Sequence, residues 1–275
     1  MSQTASPSAP APFVFHQGTA PLLISIPHGG VYVPPLLADR FGPEAREVPD
    51  TDWHLERLYA FAKDMGASIL AATHSRYVID LNRPPDGASL YPGQNVTGLC
   101  PVDGFDETPI YPRGDLPGTD EVAARRDATW APYHVQLRTE LDRIHSAHGV
   151  AVLWDAHSIR SVLPRFFEGK LPDFNLGTAD GASCDPALAQ ELLRIATSAP
   201  GYTAVLNGRF KGGHITRHYG DPARGIHAVQ LEMTQCSYME ERMPFAYLPE
   251  RAVLVQPHLR RLLEAVLVFS GNAAA

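Results

Sequence analysis

The 275-residue sequence predicts an α/β protein, a single domain with a mixed, largely parallel sheet flanked by helices. Short runs of branched apolar residues alternate with longer segments in which apolar residues recur at helical spacing. Several short runs are apolar throughout, as expected for strands that helices cover on both faces. With 44% hydrophobic residues and no internal repeat, the chain can bury one large core.

Each predicted element follows from its local pattern. The apolar runs predict strands over residues 22–27, 68–74, 76–81, 150–155, 202–207 and 226–233. Helical spacing predicts helices over residues 55–62, roughly 119–148, 186–198 and 258–269. The Pro- and Gly-containing segments 83–118 and 159–184 carry several aromatic residues, so we expect ordered loops that wall a pocket; these aromatics include Tyr91, Tyr111, Phe166, Phe167 and Phe174.

Composition excludes several classes of function. The net charge is −7 and no basic run occurs, so nucleic acid is not an expected partner. No apolar run is long enough for a membrane span, and residues 1–12, rich in Ser, Ala and Pro, predict a disordered leader rather than a signal peptide. Residues 13–275 would then form one catalytic domain. Three scattered cysteines without a C-x-x-C motif argue against disulfides and cysteine zinc sites, and the cytoplasm is the expected compartment.

Three polar residues lie at or near predicted strand ends, where ligands bind in α/β sheets. His28 follows the first strand, His157 comes two residues after Asp155, and Glu232 lies within the strand 226–233. Asp52 stands early in the first predicted helix. Two imidazoles and one carboxylate are a common catalytic zinc set with an open position for water. The sequence therefore predicts His28, Asp52 and His157 as ligands of one divalent metal, zinc first, with Glu232 as general base.

Each of these residues also has a simpler interpretation. His28 could cap a turn, Asp52 could be a helix N-cap, and His54 competes with both as a ligand. Asp155 could orient the neighbouring imidazole or simply end its strand. A carboxylate inside "VQLEM" is costly to bury unpaired, so Glu232 should be functional or lie on an exposed strand face.

Cationic residues cluster in the Gly- and Pro-containing loops. Such side chains suit the recognition of carboxylates, although solvated surface charge is the alternative. The candidates are Arg83 with its neighbour Asn82, Arg165, Arg209, Lys211 and Arg217. His214 and His218 are four residues apart, but flanking glycines favour a loop or hairpin tip, which leaves His214 as a candidate substrate contact. The motifs H-E-x-x-H and G-x-S-x-G are absent, as are glycine-rich phosphate motifs.

Seven long segments together resemble the N-formylglutamate amidohydrolase (N-formylglutamate deformylase) family from about residue 13 to residue 245. They are "IPHGG", "DTDW", "SRYVIDLNRPPDG", "YPGQNVTGLCP", "DAHSIRSVLPRFFEGKLPDFNLGTADGASC", "NGRFKGGHITRHYG" and "HAVQLEM". The resemblance implies hydrolysis of N-formyl-L-glutamate to formate and L-glutamate in histidine degradation. It also implies a distant relation to zinc exopeptidases and zinc muramoyl-alanine amidases, in which "PHGG" and "DAHS" would match histidine ligands and "QLEM" the catalytic Glu. Those relatives usually place Glu where Asp52 stands.

The implied substrate carries two carboxylates and so calls for two cationic clamps, with Arg83 and Arg217 first and Arg165 and Lys211 next. His214 would help to stabilise the oxyanion. Gly29 and Gly30 would leave room for water and the formyl group to approach the metal. Two alternatives stay open: a related metal amidase for another N-acyl amino acid or a peptidoglycan fragment, and a non-catalytic protein that binds a dicarboxylate.

Overall fold

The computed structural model describes residues 9–88 and 97–273. Residues 1–8 of the predicted leader and Tyr91 of the first predicted loop lie outside the described residues. The described end of the leader is attached to the domain, since the amide of Thr73 donates a hydrogen bond to the carbonyl of Pro12 at 3.1 Å. Within the described residues, no helix has the length and apolar character needed to cross a bilayer.

A seven-stranded sheet forms the centre of the described chain, with the order β1-β3-β2-β4-β7-β5-β6. The strands are Phe13–His16 (β1), Leu22–Ile26 (β2), Ser68–Ala72 (β3), Ala151–Ile159 (β4), Phe174–Gly177 (β5), Ala204–Leu206 (β6) and Ile226–Thr234 (β7). The four central strands β3, β2, β4 and β7 are parallel, while β1 and β5 run antiparallel to their inner neighbours. The predicted mixed, largely parallel α/β fold is confirmed.

Helices cover both faces of this sheet. They are Pro35–Ala38 (α1), Pro43–Arg46 (α2), Leu55–Leu58 (α3), Thr119–Arg125 (α4), Ala131–His148 (α5), Pro186–Thr197 (α6), His214–Tyr219 (α7) and Pro249–Ala273 (α8). A π-helical turn, Arg126–Trp130, joins α4 to α5, so the predicted helix over 119–148 is continuous. One core cluster packs α6 and α8 on one face of the sheet, and a second packs α5 on the other. Burial on both faces explains why β2, β4 and β7 are apolar along most of their length.

Three local predictions were wrong. Residues 76–81 form turns instead of a strand, because Arg76 and Asp80 turn towards each other and pair at 2.7 Å. The segment that begins at His214 is the short helix α7 and not a hairpin tip. Asp52 lies before α3, which begins at Leu55, and so does not belong to the helix.

Candidate active site

Three parallel strands bring the predicted catalytic side chains to one edge of the sheet. His28 follows the end of β2, while His157 and Glu232 lie near the ends of β4 and β7 and are paired in register. Asp52 reaches the same edge from the segment before α3, and its amide donates to the carbonyl of His28 at 3.0 Å. Residues separated by as many as 204 positions along the chain therefore share one site, because parallel strands end on the same side.

The side chains of His28, Asp52 and His157 form a compact, buried group. The Oδ2 atom of Asp52 lies 3.1 Å from Nδ1 of His157 and 3.7 Å from Nδ1 of His28. One ligand atom from each residue lies within 4.8 Å of the other two. Ligands at about 2.0–2.1 Å from a tetrahedral zinc ion lie about 3.3 Å from one another. This group could therefore hold a metal ion after only small adjustments.

Two further carboxylates stand behind the imidazoles. Nε2 of His28 lies 2.7 Å from Oδ1 of Asp80, and Nε2 of His157 lies 3.2 Å from Oδ2 of Asp155. A carboxylate can only accept, so each ring is suited to carry its proton on Nε2 and to direct the lone pair of Nδ1 at the metal position. Carboxylates that orient metal-binding histidines in this way are a common feature of zinc sites.

Sequence reasoning raised this role for Asp155 but missed Asp80. The signal was present in "DLNR", where Asp80 precedes the two predicted substrate-binding residues. The role of Asp80 was missed because residues 76–81 were wrongly predicted as a strand, and a strand there gives no reason for Asp80 to face His28.

A buried arginine balances part of the negative charge at this site. Nη2 of Arg76 donates to Oδ2 of Asp80 at 2.7 Å, and Nη1 lies 3.9 Å from Oδ1 of Asp52. Burial acts to raise the pKa of both carboxyls. The imidazoles of His157 and His28 outweigh it at Asp52, and His28 together with this guanidinium outweighs it at Asp80, so both pKa values lie below the usual range of aspartate. Both groups are therefore carboxylates at neutral pH, as metal binding and histidine orientation require. Arg76 was not among the predicted site residues.

Glu232 has a different environment from these two aspartates. Its side chain is buried, and the Nε2 group of Gln230 donates to its Oε2 atom at 3.2 Å. Burial and the negative charge of Asp52 raise its pKa to about 8. A carboxyl group with a pKa near neutrality can both accept and donate a proton during a reaction cycle.

A cavity opens over this group. Its polar lining combines the three candidate metal ligands with three arginines. Its apolar lining comes from loop phenylalanines and from Ile159 at the end of β4. The lining consists of His28, Asp52, Arg76, Asn82, Arg83, Phe105, His157, Ser158, Ile159, Phe166, Arg209, Phe210, Gly212, Gly213, Gln230 and Glu232. Of the described aromatic residues expected to wall the pocket, Phe166 lines the cavity, whereas Tyr111 and Phe167 do not. Phe174 is buried in β5, so the predicted loop over 159–184 was wrong at that point.

The predicted substrate-binding cations separate into two groups. Arg83 and Arg209 line the cavity. Lys211 instead pairs with Asp180 at 3.0 Å, with 40% of its side chain exposed. Arg165 pairs with Asp103 at 3.0 Å, outside the cavity lining.

Arg217 also stands outside the cavity lining, and its Nε atom donates to the carbonyl of Gly212 at 2.9 Å. Arg83 and Arg209, the two predicted arginines that line the cavity, are partly engaged as well. Nε of Arg83 donates to the carbonyl of Thr97 at 2.8 Å, and Nε of Arg209 donates to that of Phe166 at 2.7 Å. The substrate-binding roles of all six predicted residues stay predictions, and the geometry favours Arg83 and Arg209.

Asn82 lines the cavity and also connects parts of the site. Its backbone amide donates to Asp80 at 2.9 Å, and its side-chain oxygen accepts from the amide of Ile215 at 2.8 Å. Its Nδ2 atom lies 3.0 Å from Nε2 of His157 and donates to Oδ2 of Asp155 at 3.5 Å. Gly213 packs against it so closely that an added Cβ would lie 2.3 Å from Nδ2 of Asn82.

His214 is buried at the start of α7, outside the cavity lining. Its Nε2 atom has no hydrogen-bond partner among the described residues, and burial lowers its pKa to about 4. The imidazole is therefore neutral at neutral pH. Its role in stabilising an oxyanion stays a prediction.

The glycines after His28 have a packing role that the sequence did not reveal. A Cβ on Gly30 would lie 2.4 Å from the carbonyl oxygen of His74, and one on Gly29 would lie 2.9 Å from Ile26. Neither glycine lines the cavity. They permit close packing beside the candidate metal ligands, and the predicted access for water and the formyl group stays a prediction.

Comparison with known sequences identifies the family. A sequence model of the N-formylglutamate amidohydrolase family matches residues 20–239. The chain belongs to this family. The predicted resemblance is thereby confirmed, and the chain is a member of a family of enzymes that hydrolyse amides.

Two curated relatives in this family cover nearly the whole chain. An N-formylglutamate deformylase from Pseudomonas putida is 55% identical over 258 residues, which are 94% of this chain and 96% of that protein. An N-formylglutamate deformylase from Pseudomonas aeruginosa is 52% identical over 261 residues, 95% of this chain and 98% of that protein.

Solved structures show the same fold. The crystal structure of an N-formylglutamate amidohydrolase from Ralstonia eutropha JMP134 aligns with a TM-score of 0.82 at 27% identity, and covers 96% of this chain and 99% of that one. A gene product from Agrobacterium tumefaciens aligns with a TM-score of 0.69 at 16% identity over 94% and 96% of the two chains, a likeness of fold alone.

Proposed function

We propose that this protein hydrolyses the formamide bond of N-formyl-L-glutamate to give formate and L-glutamate. The observation that carries the proposal is the buried group of His28, Asp52 and His157 beside Glu232, in one cavity lined by arginines. Family membership and the names of the two Pseudomonas relatives support the choice of substrate.

His28, Asp52 and His157 would hold one divalent metal ion, with zinc the first candidate because two imidazoles and one carboxylate suit it. Such an ion, when bound, supplies Lewis acidity and lowers the pKa of a coordinated water molecule. Asp80 and Asp155 would keep the two histidines in the ligating tautomer. Burial of the whole group excludes bulk water and so strengthens these electrostatic interactions.

Glu232 would move the proton. In its carboxylate form it would accept a proton from the attacking water, and it would then donate that proton to the amine nitrogen as the C–N bond breaks. The amine could not leave as an unprotonated anion, so the second transfer is required. The raised pKa of Glu232 favours the donor role, and the positive charge of a bound ion would favour its carboxylate form before the reaction.

The two carboxylates of the substrate would bind the cavity arginines, with Arg83 and Arg209 first among the candidates. Both side chains line the cavity and carry guanidinium groups suited to carboxylates. The apolar wall of Phe105, Phe166 and Phe210 would pack against the methylene groups between these carboxylates.

The test is formate release from N-formyl-L-glutamate by the purified protein, before and after chelation, together with elemental analysis. We expect activity with about one metal ion per chain, loss on chelation and recovery with zinc. The variant Glu232→Gln should retain the metal and lose most turnover, by a factor of about 10²–10⁴. Near-normal turnover of this variant would contradict the role of Glu232, and full activity without metal would contradict the metal site.

A substrate panel distinguishes this proposal from a related amidase. N-Formyl-L-aspartate shortens the distance between the two carboxylates, and N-acetyl-L-glutamate enlarges the acyl group. If either is hydrolysed with a higher kcat/KM than N-formyl-L-glutamate, the proposed specificity is wrong. Absence of turnover with every member, despite tight binding of glutamate, would indicate a binding protein.

A further inference from the structure

The segment Leu81–Arg83 supplies two cavity residues although it has no regular secondary structure. Backbone carbonyls in such a segment need hydrogen-bond partners when they are buried. Nε2 of His134 lies 2.9 Å from the carbonyl oxygen of Leu81, and Nε1 of Trp130 donates to that of Arg83 at 3.0 Å. The carbonyl of Asn82, between them, accepts from the guanidinium of Arg83 at 3.1 Å. The first and third carbonyls therefore depend on side chains from a distant helix.

Trp130 and His134 are fixed relative to each other. Trp130 ends the π-helical turn and His134 lies four residues later, so the two side chains project from the same face of the helix. Their rings stack with centroids 3.6 Å apart and an interplanar angle of 18°. A π-helical turn is uncommon and is often found beside functional sites.

The hydrogen bonds also determine the tautomer of His134. A carbonyl oxygen can only accept, so Nε2 must carry the proton that it donates to Leu81. Nδ1 then accepts from the hydroxyl group of Tyr219, which lies 2.9 Å away. Burial lowers the pKa of His134 to about 3, so the ring stays neutral at neutral pH and keeps this arrangement.

Movement of Leu81–Arg83 would disturb the site in two places. Asn82 contacts His157 and the backbone of α7, as described above. Arg83 lines the cavity with a guanidinium that donates to the carbonyl and hydroxyl oxygens of Thr97. The backbone that carries both side chains is therefore held from one side by the site and from the other by the helix.

We propose that Trp130 and His134 are positioning residues, which hold the Leu81–Arg83 backbone so that Asn82 and Arg83 keep their places in the cavity. Neither aromatic residue lines the cavity, so each acts through the backbone carbonyl that it binds. The expected effect on substrate binding rests on the proposed function. That Trp130 and His134 hold the Leu81–Arg83 segment in place does not depend on it.

Trp130→Phe tests the first contact, because phenylalanine keeps an aromatic ring against His134 and removes the N–H donor. Loss of one hydrogen bond should speed amide exchange in a peptide containing residues 81–83 by about 5–10-fold. It should raise KM for N-formyl-L-glutamate by a similar factor and change kcat by less than about twofold. Trp154→Phe is the matched control, since Nε1 of Trp154 donates to the hydroxyl of Tyr59 at 3.1 Å in the other core cluster. It should lower the Tm and leave the exchange and KM unchanged.

Two variants of His134 provide an independent test. His134→Leu removes the donor to Leu81 and should raise KM. His134→Gln places an amide N–H near the position of Nε2 and should keep KM close to the wild-type value. Unchanged exchange of the segment in both Trp130→Phe and His134→Leu would overturn the proposal. Faster exchange with unchanged KM would overturn the positioning role. A wild-type protein inactive on N-formyl-L-glutamate would instead refute the proposed function, while the exchange measurements would still decide whether these residues hold the segment.

Discussion

Replacement of Asp80 by asparagine is expected to weaken metal binding without removing any of the proposed ligands. Three groups donate hydrogen bonds to the carboxylate of Asp80. Oδ1 is 2.7 Å from Nε2 of His28 and 2.9 Å from the amide of Asn82, while Oδ2 accepts from Arg76 at 2.7 Å. Asparagine has the same shape but only one acceptor oxygen, so its amino group must face one of these donors.

Both orientations of that asparagine are unfavourable. With its oxygen near His28, the amino group faces the buried guanidinium of Arg76, which loses a charge-assisted hydrogen bond. With its oxygen near Arg76, the amino group faces Nε2 of His28, which must then accept and carry its proton on Nδ1, the proposed ligand atom. Changes in residues that orient metal ligands typically cost 10–100-fold in affinity. We therefore expect the Kd for zinc to rise by about 10–100-fold, or about 1.4–2.7 kcal/mol.

The assay is competition for zinc with a chromophoric chelator at neutral pH, with folding checked by circular dichroism. Asp173→Asn is the matched control. Asp173 is also buried and accepts from the amide and hydroxyl groups of Thr203 at 2.9 Å, but it lies outside the cavity lining. This control should lower the Tm and leave the zinc Kd unchanged. A folded Asp80→Asn protein with the zinc affinity of the wild type would refute the reasoning.

Three further outcomes are expected. Gly213→Ala should lower the free energy of unfolding by about 1–3 kcal/mol and reduce kcat/KM, since its Cβ would overlap the cavity residue Asn82; Gly118→Ala, where a Cβ meets open space, should have wild-type stability and kinetics. Arg209→Ala should raise KM more than it lowers kcat, and an unchanged KM would remove Arg209 from the substrate site. His134 has a pKa of about 3 in the folded protein, against about 6.5 in the unfolded chain. Between these pH values the unfolded chain binds a proton that the folded protein does not, so the free energy of unfolding falls as the pH falls. We therefore expect the difference in free energy of unfolding between the wild type and His134→Gln to decrease below about pH 6.5, by at most about 1.4 kcal/mol per pH unit. A difference that does not change with pH would contradict a neutral His134 in the folded protein.

The strongest sequence predictions came from local pattern. Continuous apolar runs identified β2, β4 and β7, and helical spacing identified α5, α6 and α8, although α8 begins at Pro249, well before the predicted start at residue 258. The rule that ligands lie beyond strand ends then selected His28, His157 and Glu232, which the structure brings together. These predictions succeeded because burial on both faces of a strand and the amphipathicity of a helix both show as patterns among residues close together along the chain.

Predictions that depended on side-chain direction were weaker. Arg83, Arg209 and Lys211 all lie in glycine-containing loops, yet the first two line the cavity and Lys211 pairs with Asp180 near the surface. No local pattern distinguishes them, because loop backbones lack a repeating geometry. Arg76 was missed for the same reason, since its segment reads as a strand and folds as turns.

The sequence by itself determined the α/β class, the family and the residue types of the candidate metal site, since these are properties of pattern, motif order and chemistry. Only the tertiary structure decided that Asp80 stands behind His28 and that Trp130 and His134 bind the Leu81–Arg83 backbone. Those contacts join residues far apart in the chain at separations near 3 Å. They follow from sheet order, strand register and the rotation of α5, and no local segment of the sequence specifies any of these.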